Sequence, residues 1–193
     1  MLLGIAGKIG SGKSRVAALL EERGWRTLDL DVVAHDALEA CRDAVLREFG
    51  TTNRRELAAV VFSDAAALRR LEDITYPWIE TEARRWLDSE TDRPAAIHAI
   101  NLHKTDLVKD CDAILWVRCP RCVRRRRVVA RDGRPWSELK HRFRAQRGLN
   151  PKLLPCDAEI YSVRNSGNDA SLVDALDRVL ERLFRKADRG GAS

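Results

Sequence analysis

Glycines, a lysine and a serine near the amino terminus are spaced in the pattern of a phosphate-binding loop (P-loop). The stretch GKIGSGKS, residues 7–14, fits G-x-x-x-x-G-K-[ST] through Gly7, Gly12, Lys13 and Ser14. Glycine lets the backbone turn with positive φ and bring its N–H groups close to an oxyanion. Lys13 can reach the β- and γ-phosphates of a nucleotide, and the Ser14 hydroxyl can bind Mg²⁺. The stretch therefore predicts a nucleoside-triphosphate site.

A pair of aspartates, Asp29 and Asp31, ends the second predicted strand, which covers residues 25–31. Residues two apart on a strand point to the same side, so we expect both carboxylates to face one way. A carboxylate at this edge can accept the proton of an attacking hydroxyl or help to hold Mg²⁺. The alternative is that the pair caps the helix that follows. The P-loop in the same chain favours a functional role for Asp31 and leaves Asp29 open between the two.

An arginine-rich segment, residues 120–133, begins with proline, ends with glycine and is predicted to be a helix. Each helical step turns about 100°, so the four consecutive arginines of this segment cannot share one face. Arg124, Arg127 and Arg131 do share a face, because they are spaced at i, i+3 and i+7. The other arginines of the run are expected to be solvated or to attract nucleic acid non-specifically.

The composition of the 193-residue chain limits the classes of protein it can belong to. Its 45% of hydrophobic residues suffices for one core, and its net charge of +6 favours a nucleic acid or a polyphosphate as partner. No apolar run approaches the roughly 20 residues of a membrane span. Lys8 interrupts the first apolar run, so we predict no leader, a cytoplasmic location and reduced thiols. The C-x-x-C spacing of residues 119–122 lacks the two further ligands of a zinc site.

The remaining elements must bring these residues together at one edge of a sheet. Apolar runs predict strands at residues 2–6, 25–31, 95–100, 113–117 and 158–163. Helices are predicted at residues 14–24, 32–40, 43–50, 54–62, 64–74, 77–90, 120–133 and 169–187, and the tail 188–193 is expected to be disordered. Strands that alternate with helices indicate an α/β fold with a mostly parallel sheet. Ligands of such sheets bind at the carboxyl ends of the strands.

Several stretches together resemble the dephospho-CoA kinase family, the P-loop kinases of the last step of coenzyme A biosynthesis. The similarity begins in GKIGSGKSRVAALLEERGWRTLDLDVVAHDAL, residues 7–38. It continues in NRRELAAVVFSD (53–64), LEDITYPWIETE (71–82), VARDG (129–133), RAQ (144–146) and NSG (165–167). The P-loop alone would indicate an NTP-binding protein. Its combination with the D-x-D-x-x-x-H pattern and the late N-S-G is far more specific.

The resemblance implies a P-loop kinase fold of the nucleoside-monophosphate-kinase type, with a parallel sheet and flanking helices. The core would comprise residues 1–35, 95–120 and 156–187. A helical substrate-binding insertion would cover residues 36–94, and a lid would cover residues 121–155. The reaction implied is ATP-dependent phosphorylation of the ribose 3′-hydroxyl of dephospho-CoA, with Mg²⁺ bound at the P-loop serine.

The resemblance also implies a role for individual residues. Asp31 matches the family's catalytic carboxylate, which takes the proton of the ribose 3′-hydroxyl. Arg127 and Arg131 match arginines of the lid helix, and Asn165 and Gly167 match the loop that lines the adenine of ATP. The residues that would bind the ATP phosphates all belong to the P-loop: Gly10, Ser11, Gly12, Lys13, Ser14 and Arg15.

The chain departs from the family pattern in places that leave other acceptors open. Lys8 replaces the usual second glycine, Tyr76 replaces a histidine before proline, and INLHKTDL (100–107) replaces a segment with two leucines and a glutamate. One alternative is a related kinase that phosphorylates a nucleoside monophosphate or another small acceptor. The other is a basic P-loop protein whose nucleotide controls binding to nucleic acid.

Overall fold

The computed structural model describes residues 1–190, without the side chains of Phe62 and residues 187–190. Its strands are β1 (Leu2–Ala6), β2 (Arg26–Asp29), β3 (Ala95–His98), β4 (Ala113–Arg118) and β5 (Glu159–Arg164). Its helices are α1 (Lys13–Glu21), α2 (Leu30–Ala40), α3 (Arg42–Phe49), α4 (Arg54–Ser63), α5 (Ala65–Asp88), α6 (Arg121–Asp132), α7 (Trp136–Ala145) and α8 (Asp169–Gly190). Among these described helices, none has the length and apolar character needed to cross a membrane.

The strands form a five-stranded sheet in the order β2-β3-β1-β4-β5. β1 pairs in parallel with both β3 and β4, and β4 pairs in parallel with β5. The predicted α/β fold with a parallel sheet and flanking helices is therefore confirmed. Because β1, β4 and β5 run in the same direction, the loops that follow them leave the sheet at one edge.

The core of the sheet is a cluster of buried apolar side chains that β1, β4 and β5 share with α1 and α8. Leu3 and Ile5 of β1 are fully buried, as are Leu20 of α1 and Leu172 of α8. On β1, a Cβ atom at Gly4 would lie 2.5 Å from Ile114 and 3.0 Å from Leu102, so a larger residue there would displace the turn 102–104. The central strand is thus packed tightly enough to fix the start of the P-loop.

Contacts divide the chain into two compact units, one made of Met1–Leu28 with the chain from Arg93 onward and the other of Asp29–Asp92. The second unit consists of α2 to α5. It has its own apolar cluster, whose buried members are Val45, Leu57, Val61 and Ala67. Side-chain caps mark where three of its four helices begin, at Asp29, Asn53 and Asp64.

One long helix, α5, replaces the two helices predicted on either side of Pro77. It begins after Asp64 and continues through the proline for 24 residues. A proline inside a helix removes one hydrogen bond and crowds an earlier carbonyl, at a cost of about 3 kcal/mol. Ala67 lies before Pro77, Ile79 and Ala83 lie after it, and all three are buried. Burial of one continuous apolar stripe offsets this cost, so the prediction that Pro77 opens a helix is wrong.

Other predicted boundaries also differ from the structure. β2 ends at Asp29, so Asp31 belongs to the first turn of α2 and the argument from strand periodicity is wrong. The helix α7 was not predicted. At the carboxyl end, the backbone of α8 is helical to Gly190, so the disorder predicted for residues 188–190 is wrong. The rest of that predicted tail, residues 191–193, lies outside the described residues.

We expect Leu20→Ala to lower the free energy of unfolding by about 2–5 kcal/mol, because it leaves a cavity in the main core. Leu20 is fully buried, whereas Leu153, in the short turn Pro151–Leu153, is 50% exposed. Leu153→Ala is the matched control, with an expected change within about 0.5 kcal/mol. Urea denaturation of both variants measures the difference, and equal losses would contradict this assignment of the core.

Candidate active site

The P-loop joins β1 to α1 through a turn rich in glycine. Gly10 and Gly12 have φ of 73° and 93°, in the left-handed region that favours glycine. The N–H of Ser11 donates to the carbonyl of Lys8 at 3.0 Å, which closes the turn. Within the described residues, α1 begins without a side-chain cap. Its first N–H groups and the positive end of its dipole are therefore suited to an anion.

Two polar side chains of the P-loop region are buried. The Ser11 hydroxyl is the one buried side-chain polar atom, among the described residues, that lacks a hydrogen-bond partner. The Lys13 side chain is 8% exposed, and its Nζ donates to the carbonyl of Gly7 at 3.3 Å. An unsatisfied buried hydroxyl and a buried ammonium both gain from a bound phosphate. The loop thus fits a phosphate chain in chemistry as well as in shape.

Ser14 and Arg15, the last predicted phosphate-binding residues, lie in the first turn of α1. The Ser14 side chain is exposed next to Lys13, so its hydroxyl is accessible to a cation. The backbone N–H of Arg15 donates to Gly12. The exposed Arg15 guanidinium pairs with Glu22 and with Asp169, both at 3.1 Å. Its side chain is therefore directed along α1 and toward the start of α8.

Arg127 of α6 braces the P-loop from outside. Its Nη1 donates to the carbonyl of Ser11 at 3.3 Å, and its Nη2 donates to Oδ1 of Asn165 at 2.8 Å. Nη1 also lies 3.6 Å from the Cys119 sulfur. Burial raises the pKa of that thiol, and the charge of Arg127 opposes the rise. One planar guanidinium thus joins the loop to the segments that follow β4 and β5.

Arg131, the second predicted arginine of the lid helix, does not contact the P-loop in the structure. Its Nε donates to Oδ1 of Asp132 at 2.7 Å, and Arg142 of α7 pairs with the same carboxylate at 2.8 Å. These two arginines hold the pKa of Asp132 below its usual range, with the hydrogen bond from Arg131 as the largest cause. Arg131 remains largely exposed, so this pair is a weak one.

A cavity of about 370 Å³ lies at the carboxyl ends of β4 and β5, lined by Arg118, Cys119, Pro120, Ser162 and Arg164. It adjoins the loop 165–167, which was predicted to line the adenine. The first residue of that loop, an asparagine, is 2% exposed, and its N–H donates to the carbonyl of Arg118 at 2.7 Å. The cavity is open and has two arginines in its wall, which suits a negatively charged nucleotide.

Asn165 and Gly12 approach each other so closely that Gly12 has no room for a side chain. The amide nitrogen of Asn165 occupies the space that a Cβ atom at Gly12 would need. Gly167 has φ of 109°, a conformation that favours glycine in the turn after β5. Of the two residues that the family resemblance places at the adenine, Asn165 thus lies against the P-loop and Gly167 lies in the turn after β5.

In the second unit, Asp31 is exposed in the first turn of α2, whereas Asp29 caps that helix. Oδ1 of Asp29 accepts the N–H of Asp31 at 2.9 Å, so the capping alternative is right for Asp29. Tyr76 of α5 has a raised pKa, chiefly from burial and then from Glu72, and the Asp31 charge adds to this. The Asp31 carboxylate therefore lies near enough to Tyr76 for its charge to act on the Tyr76 hydroxyl.

His35, one turn after Asp31 on α2, contacts a cation of the same unit. Nη1 of Arg54, at the start of α4, lies 2.8 Å from Nδ1 of His35, and Nη2 donates to the His35 carbonyl at 3.4 Å. Both side chains are exposed. The NRR stretch thus brings a fixed positive charge beside the histidine of the D-x-D-x-x-x-H pattern.

Sequence reasoning missed several residues that surround the P-loop. Pro120, Ser162 and Arg164 line the cavity, and the rule that ligands bind at the carboxyl ends of strands could have identified them. Arg124 was placed on the correct face of α6 but without a partner. Gln146 was noted within the RAQ stretch but given no task, because its partner lies 137 residues away in the chain.

Comparisons with known proteins agree on one family. A family profile described as dephospho-CoA kinase matches residues 1–169. A dephospho-CoA kinase of Anaeromyxobacter dehalogenans is 35% identical, over 98% of this chain and 93% of that protein. A dephospho-CoA kinase of Thermus thermophilus is 36% identical, over 98% of this chain and 95% of that protein.

Solved structures also resemble the chain over nearly its whole length. A crystal structure of a Thermus thermophilus protein superposes with a TM-score of 0.78 at 33% identity, over 95% of this chain and 97% of that one. A dephospho-CoA kinase from Campylobacter jejuni gives a TM-score of 0.57 at 19% identity, over 94% of this chain and 96% of that one. The second likeness supports the fold alone.

We expect Arg127→Lys to raise the dissociation constant for ATP about tenfold, because one ammonium cannot replace a guanidinium that joins the Ser11 carbonyl to Asn165. Arg126→Lys is the matched control, since Arg126 lies on the same helix but is exposed. Calorimetric titration with a non-hydrolysable ATP analogue measures both variants. Unchanged ATP affinity in Arg127→Lys would show that the hydrogen bonds of Arg127 to Ser11 and Asn165 do not act on the nucleotide site.

Proposed function

The chain belongs to the dephospho-CoA kinase family, and we propose the residues with which it carries out the family's reaction. The enzyme transfers the γ-phosphoryl group of ATP to the ribose 3′-hydroxyl of dephospho-CoA and so forms coenzyme A. A bond forms between the 3′-oxygen and the γ-phosphorus, and the bond from that phosphorus to the β–γ bridging oxygen breaks. The match of one family profile to residues 1–169 carries this conclusion.

The P-loop is proposed to hold the ATP phosphates. Gly10, Gly12 and the start of α1 supply N–H groups, and the unsatisfied Ser11 hydroxyl supplies a further donor. When ATP binds, the Lys13 ammonium would release the Gly7 carbonyl and contact the β- and γ-phosphates instead. This brings its positive charge to the phosphoryl group that is transferred. The negative charge spread over that group makes this exchange more favourable in the transition state than in the ground state.

Asp31 is proposed as the general base. Its carboxylate is exposed at the start of α2 and can accept the proton of the 3′-hydroxyl as the oxygen attacks phosphorus. Asp29 is a poor candidate for this step, because its Oδ1 already accepts the Asp31 N–H. The capping bond fixes the first turn of α2 and so the backbone from which Asp31 projects.

Mg²⁺ is the proposed cofactor, and the exposed Ser14 hydroxyl beside Lys13 fits it. A hydroxyl in the first helical turn after a P-loop is an oxygen ligand of the kind that Mg²⁺ prefers. Bound there with the nucleotide, the ion would neutralise charge on the β- and γ-phosphates. Ser14 would then contribute one ligand and orient the phosphate chain relative to α1.

The two proposed arginines of α6 would act in different ways. Arg127 supports the loop and the nucleotide cavity through Ser11 and Asn165. Arg131 would meet the phosphoryl group itself after leaving Asp132, and an exposed ion pair of this kind is worth only about 0–1 kcal/mol. Arg131 can therefore leave Asp132 and move toward ATP at little cost in free energy.

Other acceptors are less consistent with the chain than dephospho-CoA. A nucleoside-monophosphate kinase and a nucleotide-controlled nucleic-acid-binding protein both remain compatible with a bare P-loop. The family profile, however, extends over α2 to α5 as well as the P-loop unit, and the named relatives are dephospho-CoA kinases. The need for ATP points to the cytoplasm as the compartment of the reaction.

We expect Asp31→Asn to lower kcat by about 10²–10⁴, because the amide keeps the shape but cannot take the proton. ATP affinity should not change, since the loop amides are untouched. Asp29→Asn is the matched control: its amide oxygen can still accept the Asp31 N–H, so a much smaller effect is expected. Steady-state kinetics with dephospho-CoA compares them, and a normal kcat in Asp31→Asn would exclude Asp31 as the base.

We expect Lys13→Ala to lower the catalytic rate by about 10²–10³, through loss of one cation at the transferring phosphoryl group. Lys109→Ala, at an exposed position of the turn Asp106–Asp110, is the control for removal of a lysine elsewhere. Single-turnover measurements at saturating ATP separate the rate from binding, and thermal denaturation checks the fold. Full activity in a folded Lys13→Ala protein would exclude this use of the P-loop.

A further inference from the structure

Both peptide groups of one P-loop residue, Ile9, are held by side chains from α6 and from the end of α7. The Ile9 N–H donates to Oε1 of Gln146 at 2.6 Å. The Ile9 carbonyl accepts a hydrogen bond from Nη1 of Arg124 at 3.3 Å. Arg124 and Gln146 are 115 and 137 residues away from Ile9 in the chain. We call this pair of hydrogen bonds the Ile9 clamp.

Packing of the Ile9 side chain also holds this residue in place. It is 4% exposed and belongs to a small apolar cluster with Val128, Leu139 and Phe143. This cluster is the packing interface of α6 and α7. The P-loop therefore contributes a core residue to the helix pair, and the helix pair contributes hydrogen bonds to the P-loop.

The Arg124 side chain of the clamp and the backbone that carries Gln146 are themselves held in place. The Arg124 guanidinium lies 5.0 Å from the centre of the Phe143 ring and is 9% exposed as a residue. Gln146 is the C-cap residue of α7, so its backbone is fixed by the end of that helix. The Arg124 guanidinium therefore cannot turn away from Ile9 without loss of its contact with the Phe143 ring.

The next loop residue, Gly10, is pressed against α6. A Cβ atom at Gly10 would lie 2.8 Å from the carbonyl oxygen of Arg124 and from Cγ2 of Val128. Lys8, on the other side of Ile9, donates its Nζ to the carbonyl of Arg147 at 3.1 Å. The outer surface of three consecutive loop residues is thus occupied by the segment from α6 to the end of α7.

A P-loop binds phosphate well only if its N–H groups point inward before the anion arrives. Glycines allow the backbone turns of this loop, but they also leave the loop free to adopt other backbone conformations. A buried peptide group needs a partner, so a fixed donor and a fixed acceptor on the outside select one orientation of the Ile9 peptides. The Ile9 clamp therefore restricts the loop without contact to the nucleotide.

We propose that Gln146 and Arg124 are positioning residues, which hold the Ile9 peptide groups and so keep the P-loop in the shape that accepts the phosphates of ATP. The inference rests on the proposed function of the P-loop as the ATP site. It gives the α6–α7 pair a second task beside that of a lid, because the helices form the outer support of the loop. Nucleotide affinity then depends on side chains that do not reach the nucleotide.

The test replaces Gln146 in two ways in the full-length enzyme. Gln146→Met removes the acceptor at similar size, and Gln146→Glu keeps an acceptor oxygen. Lys140→Met, an exposed position on α7, is the control. We expect Gln146→Met to raise the dissociation constant of a non-hydrolysable ATP analogue and KM for ATP about tenfold. KM for dephospho-CoA should not change, and Gln146→Glu should recover most of the affinity.

Unchanged ATP affinity in a folded Gln146→Met protein, or equal losses in Gln146→Met and Gln146→Glu, would overturn the proposal. If Gln146→Met does not fold, Arg124→Met and Arg124→Lys give the same comparison, since lysine can still donate to the Ile9 carbonyl. Amide exchange of Ile9 in the wild-type enzyme is the final check, and an unprotected Ile9 N–H would also overturn it. Absence of dephospho-CoA phosphorylation would refute the proposed function instead, because ATP binding is measured separately.

Discussion

An anion-binding loop must keep a set of backbone N–H groups unsatisfied by the protein, and the rest of this structure depends on that constraint. The N–H groups at the start of α1 have no side-chain cap within the described chain, and the Ser11 hydroxyl is buried without a partner. Such groups are costly unless a ligand completes them. Two carbonyls of the same loop receive their donors from α6: Arg124 donates to Ile9 and Arg127 donates to Ser11.

The arginines of α6 show how one residue type can serve separate tasks along one helix. Arg124 and Arg127 point inward to loop carbonyls, whereas Arg125 lies 4.8 Å over the ring of Trp136. Arg131 pairs with a carboxylate at the end of the helix. The net charge of +6 is thus placed partly around a site for two polyanionic substrates.

Local patterns in the sequence were sufficient for the P-loop and for the alternation of strands and helices that indicates a parallel sheet, because each depends on residues close in the chain. The loop at Asn165 was expected from the family resemblance instead. Local patterns failed where distant packing decides the outcome. Pro77 lies inside α5 because an apolar stripe is buried on both sides of it, and Asp29 caps α2 because β2 ends earlier than its alternation suggested. Gln146 could not be assigned from the sequence, since its partner is visible only once α7 lies beside the P-loop.

The position of the transferred phosphate tests the account most directly. The purified protein is incubated with ATP, Mg²⁺ and dephospho-CoA, and the product is identified by phosphorus NMR and mass spectrometry. AMP, CMP and a DNA oligomer are tested in parallel. We expect one ADP to form for each coenzyme A, with the new phosphate on the ribose 3′-oxygen and little turnover of the other acceptors. Phosphorylation of a nucleoside monophosphate in preference to dephospho-CoA, or ATP hydrolysis stimulated by DNA without a phosphorylated product, would contradict it.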